Sequence, residues 1–221
     1  MECDRLISVS VARAFESRGC PICRLVSKAE ANQIKGMLYE GVNNPRVRRG
    51  FVKAGGLCPY HAWLLASIVI SDPLLHPISP TLMYASVLEK AIEDIEKKRY
   101  RSGGGCPLCD IAKKFEEMYV EVMAACFDKG ELIREYSASQ SVMCLTHYRA
   151  VASAMESDEM REKLKSIQVR KMRAILERMR EYIRKQDYRA SEAPTEEQEK
   201  AWLAAIEALK GYRTSVMIRR C

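Results

Sequence analysis

No apolar run in the 221 residues is long enough to cross a bilayer. The longest, WLLASIVI at 63–70, falls well short of the roughly 20 residues a spanning helix needs. A secretory leader is not expected either, because MECDRLISVSVARAF carries charges where an apolar stretch would be required. These two absences lead to the expectation of a cytoplasmic protein with no membrane contact. There is also no HExxH, no GxSxG and no glycine-rich phosphate loop, so the familiar sequence marks of a metalloprotease, a serine hydrolase or a nucleotide enzyme are lacking. Asn and Gln are scarce beside Glu, Lys and Arg, a balance compatible with a hot source.

Cysteine is plentiful: there are nine. In a reducing compartment clustered cysteines point to metal or redox chemistry more than to disulfides. Hyperthermophile cytosols are an exception, which keeps disulfides open. Hydrophobic residues make up 48% of the chain, enough for a real core, and the formal net charge is +7. A modest positive charge suits a polyanionic partner without demanding one.

The cysteines are arranged as a repeat. GCPIC at 19–23 matches GCPLC at 105–109, and LCPYH at 57–61 matches MCLTH at 143–147. Cys20, Cys23, Cys58 and His61 thus recur 86 positions later as Cys106, Cys109, Cys144 and His147. Apolar residues at helical spacing flank both copies, and each CxxH opens a further helical stretch. The proline-rich segment SDPLLHPISP is the natural joint between the copies. The expected fold is all-α: residues 1–75 and 76–155 form two tandem helical units, each pinned by its own Cys3His zinc site. Residues 156–221 add a C-terminal hairpin of a long helix and a short capping helix, with a tail.

Two zinc ions suit these ligands. Zinc takes four in a tetrahedron, and Cys3His is a common structural set. A proline inside CPxC fixes φ at the turn, and Gly19 and Gly105 relieve crowding before it. In CxxH the cysteine would stand at a helix start, with Pro59 suited to the first helical position. The free N–H groups there can stabilise the net negative charge of three thiolates on Zn²⁺. Iron is a less favoured occupant of so sulfur-rich a site. A redox dithiol needs no partner CxxH. Disulfides would leave His61 and His147 unexplained, and four protein ligands leave no open catalytic position. Cys126, in an apolar helical stretch, reads as a buried small hydrophobe. Cys3 and Cys221, at the termini, are either free or cross-linked. His76 reads as a plain loop residue.

Residues 157–186 should form one long helix with an apolar stripe and a solvated face of interleaved charges. Thr195 and Gln198 form a capping-box pattern for a last helix over 196–210, and Gly211 should end it. GCPxC, LCPYHAW and the ending IRKQDYRASEAPTEEQEKAWLAAIEALKG resemble an uncharacterised prokaryotic family of duplicated CPxC…CxxH proteins. The resemblance spans Gly19 to Gly211. It implies helical, metal-binding proteins without an established activity. Asp187, Tyr188, Arg189, Glu197 and Trp202, within that ending, would cap a helix junction or line a pocket.

These features favour a zinc-binding structural or interaction protein over an enzyme. Its basic surfaces would contact RNA, DNA or the ribosome, or it would bind a protein partner. The candidate nucleic-acid residues are Arg46, Arg48, Arg49 and Lys53, and Lys97, Lys98, Arg99 and Arg101. The alternatives are a zinc-dependent or thiol redox enzyme, and a sensor in which thiolate oxidation releases the metal. The sequence leaves the oligomeric state open.

Overall fold

Proline begins four of the helices, at the first helical position where its missing N–H costs nothing. The computed structural model describes residues 5–99, 105–187, 189 and 192–212. Among these the helices are α1 (Arg5–Ala14), α2 (Pro21–Tyr39), α3 (Pro45–Lys53), α4 (Pro59–Ser71), α5 (Ile78–Glu96) and α6 (Pro107–Asp128). They continue with α7 (Ile133–Ala138), α8 (Leu145–Ala154), α9 (Asp158–Lys185), α10 (Glu196–Glu199) and α11 (Ala201–Lys210). A 3-10 turn, Gly41–Asn43, precedes α3. The described residues contain no strand, and the expected all-α class holds. Extended pairing is limited to one parallel bridge between Gly19 and Ser141.

The chain folds as two compact units that do not coincide with the two halves of the sequence. Among the described residues, one unit combines 5–25 with those of 116–212, and the other takes those of 26–115. Helices α2 and α6 therefore each contribute residues to both units.

In the first unit the buried side chains of Phe15, Met123, Phe127, Ile133, Tyr136, Met143 and Leu164 make the core. The Tyr136 ring stacks in tilted fashion on Phe15 and Phe127, at centroid distances of 5.4 and 5.8 Å. Its hydroxyl donates to Gln168 Oε1 (2.7 Å) and accepts from the Met143 N–H (3.0 Å), while Gln168 Nε2 donates to the Met143 carbonyl (2.8 Å). A buried network satisfied at each of these groups holds one backbone position firmly, and that position is next to Cys144. Ser157 caps α9 through a bond from the Met160 N–H. The exposed face of α9 is laced by i,i+3 ion pairs such as Arg180–Glu177 and Arg184–Glu181, as a solvated face should be. Thr195 and Gln198 form the anticipated capping box and Gly211 ends α11 at φ +80°, but the single helix expected over 196–210 is interrupted at Lys200 and divides into α10 and α11.

In the second unit Ile34, Leu38, Leu65, Leu75 and Leu108 pack around Cys106 and Cys109. A smaller cluster of Val42, Phe51 and Met83 joins α3 to α5. The segments NPRVRRGFVKAG and ELIREYSASQS hold α3 and α7. Asn44 caps α3 by accepting from the Arg46 and Val47 N–H groups. His76 accepts from the Ile78 N–H at the start of α5.

Candidate metal centres

Each centre is built from the starts of two helices. Cys20 immediately precedes α2 and Cys23 lies in its first turn; Cys106 and Cys109 stand likewise at the head of α6. Cys58 is the N-cap of α4 and Cys144 the N-cap of α8, so His61 and His147 fall in the first turn of those helices. Pro59 occupies the first position of α4, as anticipated. The Cys144 sulfur accepts from the His147 backbone N–H at 3.5 Å, an oriented donor for a thiolate at a helix start.

The ligands assemble across the two halves of the sequence, which corrects the pairing drawn from sequence spacing. Cys20 and Cys23 meet Cys144 and His147 in the first unit, while Cys58 and His61 meet Cys106 and Cys109 in the second. Cys23 and Cys58, with 34 residues between them, do not share a cluster, nor do Cys109 and Cys144. The structure gives the reason in the first unit: the Gly19 carbonyl accepts from the Val142 N–H at 3.1 Å, which lays the CPxC of the first copy beside the CxxH of the second. The φ of +87° at Gly19 is open to glycine, and a Cβ there would lie 2.9 Å from the Glu207 carboxylate. Gly105 faces open space and needs no such freedom.

The distances suit a tetrahedral ion. Metal bonds of about 2.3 Å to sulfur and about 2.0 Å to nitrogen imply sulfur–sulfur edges near ~3.8 Å and sulfur–nitrogen edges near ~3.6 Å. In the first unit His147 Nδ1 lies 3.3 Å from each of Cys20, Cys23 and Cys144, and Cys23 lies 3.9 Å from Cys144, sulfur to sulfur. In the second, His61 Nδ1 lies 3.4 Å from Cys58 and 3.5 Å from both Cys106 and Cys109, with Cys58 and Cys109 separated by 3.5 Å. Within each set all four ligand atoms lie within 4.8 Å of one another. Seven of the eight residues are buried, and only Cys58 is partly open.

Sequence reasoning missed two residues. His147 Nε2 lies 2.8 Å from the Glu116 carboxylate and His61 Nε2 lies 3.3 Å from that of Glu30, the second contact poorly aligned. Both glutamates are almost wholly buried. Tyr60 also donates to Glu30, at 3.2 Å. A carboxylate on the far nitrogen fixes a ligating histidine's tautomer and orientation. A signal for them was present. Glu30 and Glu116 follow Cys23 and Cys109 by seven residues each and are themselves 86 apart. Helix α2 thus gives two sulfurs to one centre and the carboxylate to the other, and α6 does the converse.

The electrostatics match a cation site. Burial opposes charge on Cys106, but the His61 hydrogen bond and backbone donors take its thiol down to about 6. Burial raises Cys20 likewise, yet hydrogen bonds from Cys144 and Cys23 and the His147 charge carry it well below its ordinary value. Cys23 is pushed up by its hydrogen bond to Cys144, and Cys109 by burial and then Cys58. Burial disfavours a charged imidazole, but the surrounding sulfurs and glutamates lift His61 to about 10 and His147 to about 11. Without an ion, a proton on each imidazole partly neutralises the thiolates; a divalent cation does so more fully.

Of the basic candidates, Arg48, Arg49, Lys53 and Arg99 line one cleft of about 1490 Å³ beside α3 and α5, together with Lys90, which the sequence did not single out, and Asp94. Arg46, Lys97 and Lys98 are not on its wall, and Lys97 pairs with Glu93. Arg101, Tyr188, Cys3 and Cys221 lie outside the described residues. Glu197 pairs with Arg18 and lines a cleft in the first unit, Trp202 is largely exposed, and Asp187 accepts from the Arg189 N–H. Cys126 is fully buried but disulfide-bonded, which corrects its reading as a plain apolar thiol. No described helix is long and apolar enough to cross a membrane.

No curated protein and no solved structure matches the chain. A family model described as a family of unknown function (DUF6062) matches residues 77–215. That segment holds one CPxC and one CxxH, which belong to different centres, so it completes neither.

Proposed function

The chain belongs to DUF6062, a family without an assigned activity, and from that premise we propose that it is a structural zinc protein with a nucleic-acid-binding surface. One Cys3His zinc ion closes each unit, with Cys20, Cys23, Cys144 and His147 as one ligand set and Cys58, His61, Cys106 and Cys109 as the other. The observation that carries this reading is the set of near-tetrahedral edges around each Nδ1, backed by a buried carboxylate on each Nε2. Sulfur-rich tetrahedral sites select zinc over hard cations, and four protein ligands leave no position for substrate. An internal duplication accounts for the matched builds, since the supporting glutamates share the 86-residue offset. Elemental analysis of the native protein tests the metal: two zinc ions per chain are expected, and a metal-free, fully folded protein would overturn the assignment.

The cleft beside α3 and α5 supports the second half of the reading. Five cations against one carboxylate line it, and about 1490 Å³ exceeds the ~300–1,000 Å³ of small-ligand pockets. An extended polyanion suits both the size and the charge, and the phosphate backbone of RNA or DNA is such a ligand. Binding of mixed-sequence RNA and DNA should weaken steeply between 50 and 200 mM salt, by about tenfold or more for three to five phosphate contacts. It should also fall in Arg49→Ala and Lys53→Ala. Binding that ignores both salt and these substitutions would discard the cleft. One observation favours a sensor role beside this: Cys58 alone among the eight is open to solvent. Mild peroxide should then release the ion held by Cys58 before the wholly buried one, and equal loss from both would dismiss it.

A further inference from the structure

Helix α5 turns an apolar stripe outward. Ile78, Leu82, Leu88 and Ile92 are 44–63% exposed, and Ala85 between them is exposed as well. The opposite side of α5, through Met83, Tyr84 and Val87, packs on Phe51 and its neighbours. The stripe follows helical spacing, with steps of four, three, three and four residues. A surface helix normally buries such a stripe, so this one is built to be covered. On the flank of α5, Trp63 and Ile70 of α4, 75% and 86% exposed, share an apolar groove with Pro80 and Tyr84.

The spacing of the stripe identifies what covers it. Four of its five large exposed residues are symmetric about Ala85: Ile78 and Ile92 lie seven residues to either side and Leu82 and Leu88 three, while Ile95 continues the row beyond. Two such helices crossed antiparallel at Ala85 would set Ile78 against Ile92 and Leu82 against Leu88, twice over. The smallest side chain of the row would sit at the crossing, where the backbones come closest. A two-fold interface requires this kind of self-complementarity, in which residue i meets j and j meets i. The area agrees. The exposed parts of Trp63, Ile70 and the four large α5 residues sum to about 700 Å², near the ~800 Å² that each partner gives to a standard stable interface.

We propose that a second copy of this chain covers α5, pairing α5 with α5 antiparallel about a two-fold axis through Ala85. Analytical ultracentrifugation over a wide concentration range tests this on the full chain. The wild type should sediment as a dimer that dissociates on dilution. Leu88→Glu and Leu82→Lys should each raise the dissociation constant by about a hundredfold or more, because each buries an unpaired charge twice. The double variant Leu82→Lys/Leu88→Glu places each lysine opposite the partner's glutamate and should recover much of the association. Metal content and far-UV circular dichroism identify any variant that has lost its fold, and the comparison then rests on the remaining ones. A wild type that stays monomeric at every concentration overturns the proposal. So does a dimer indifferent to both single substitutions, or a double variant no better than either, which would mean that some other surface or partner is involved.

Discussion

Pairing of ligands across the halves can be tested by counting ions. Consider two double variants that differ in one position, Cys23→Ser/Cys144→Ser and Cys23→Ser/Cys58→Ser. Cys23 and Cys144 stand 3.9 Å apart in one cluster, whereas Cys58 belongs to the other cluster, 3.5 Å from Cys109. The first variant therefore strips two sulfurs from one centre and leaves the second untouched. The second variant removes one sulfur from each. Structural zinc contributes on the order of 10 kcal/mol to a small metal-dependent fold, comparable with the whole ~5–15 kcal/mol stability of an ordinary domain. A centre left with one cysteine and one histidine should lose its ion, and the unit around it should loosen. Cys23→Ser/Cys144→Ser should thus retain one zinc per chain. Protection from amide hydrogen exchange should fall in residues 5–25 and from 116 onward and persist in 26–99. Cys23→Ser/Cys58→Ser should hold both ions weakly and lose them to a moderate chelator. Mass spectrometry of the native protein reads the stoichiometry directly. A full equivalent in Cys23→Ser/Cys58→Ser with none in Cys23→Ser/Cys144→Ser would refute the crossed pairing and restore one site per half.

Glu116→Gln should weaken metal binding in its centre by about 10- to 100-fold, because a buried carboxylate no longer orients His147; competition with a chromophoric chelator measures this. Glu30→Gln should act in the same direction but less, since its contact with His61 is longer and poorly aligned. Gly19→Ala should destabilise by about 1–2 kcal/mol through its positive φ, with crowding of Glu207 in addition, whereas Gly105→Ala should be close to neutral; thermal melts of the two variants provide the comparison. Lys171 is held down at about 8 by burial and then by Arg170, while its ordinary value is 10.5. The unfolded chain thus holds that proton more tightly than the folded one. Stability should rise with pH from about 8 to about 10.5 and level off above. Urea midpoints should show this rise in the wild type and a flatter profile in Lys171→Met.

Local chemistry was legible in the sequence wherever a residue acts on its own helix. Pro59 at the first turn of α4, the Thr195–Gln198 box and Gly211 each work within a few residues, so spacing suffices to locate them. The members of the two Cys/His clusters were legible for a related reason: CPxC and CxxH are each short enough to present their two side chains together. The charge rows of α9 pair within a turn and likewise needed no tertiary knowledge. Lys90 joined the basic cleft unannounced because α3 and α5 meet only in the folded unit.

Which CPxC meets which CxxH was decided elsewhere. Two matched pairs of CPxC and CxxH motifs can be joined within a half or across halves with the same Cys3His composition in each centre, and spacing along the chain does not distinguish the two. The choice depends on contacts between distant segments, such as the bridge from Gly19 to Val142 and the buried network of Tyr136 and Gln168 beside Cys144. The sequence determined what each centre is made of, because ligand chemistry is a property of short motifs. Only the tertiary structure decided which motifs share a centre, because that rests on packing between segments from 45 to 127 positions apart.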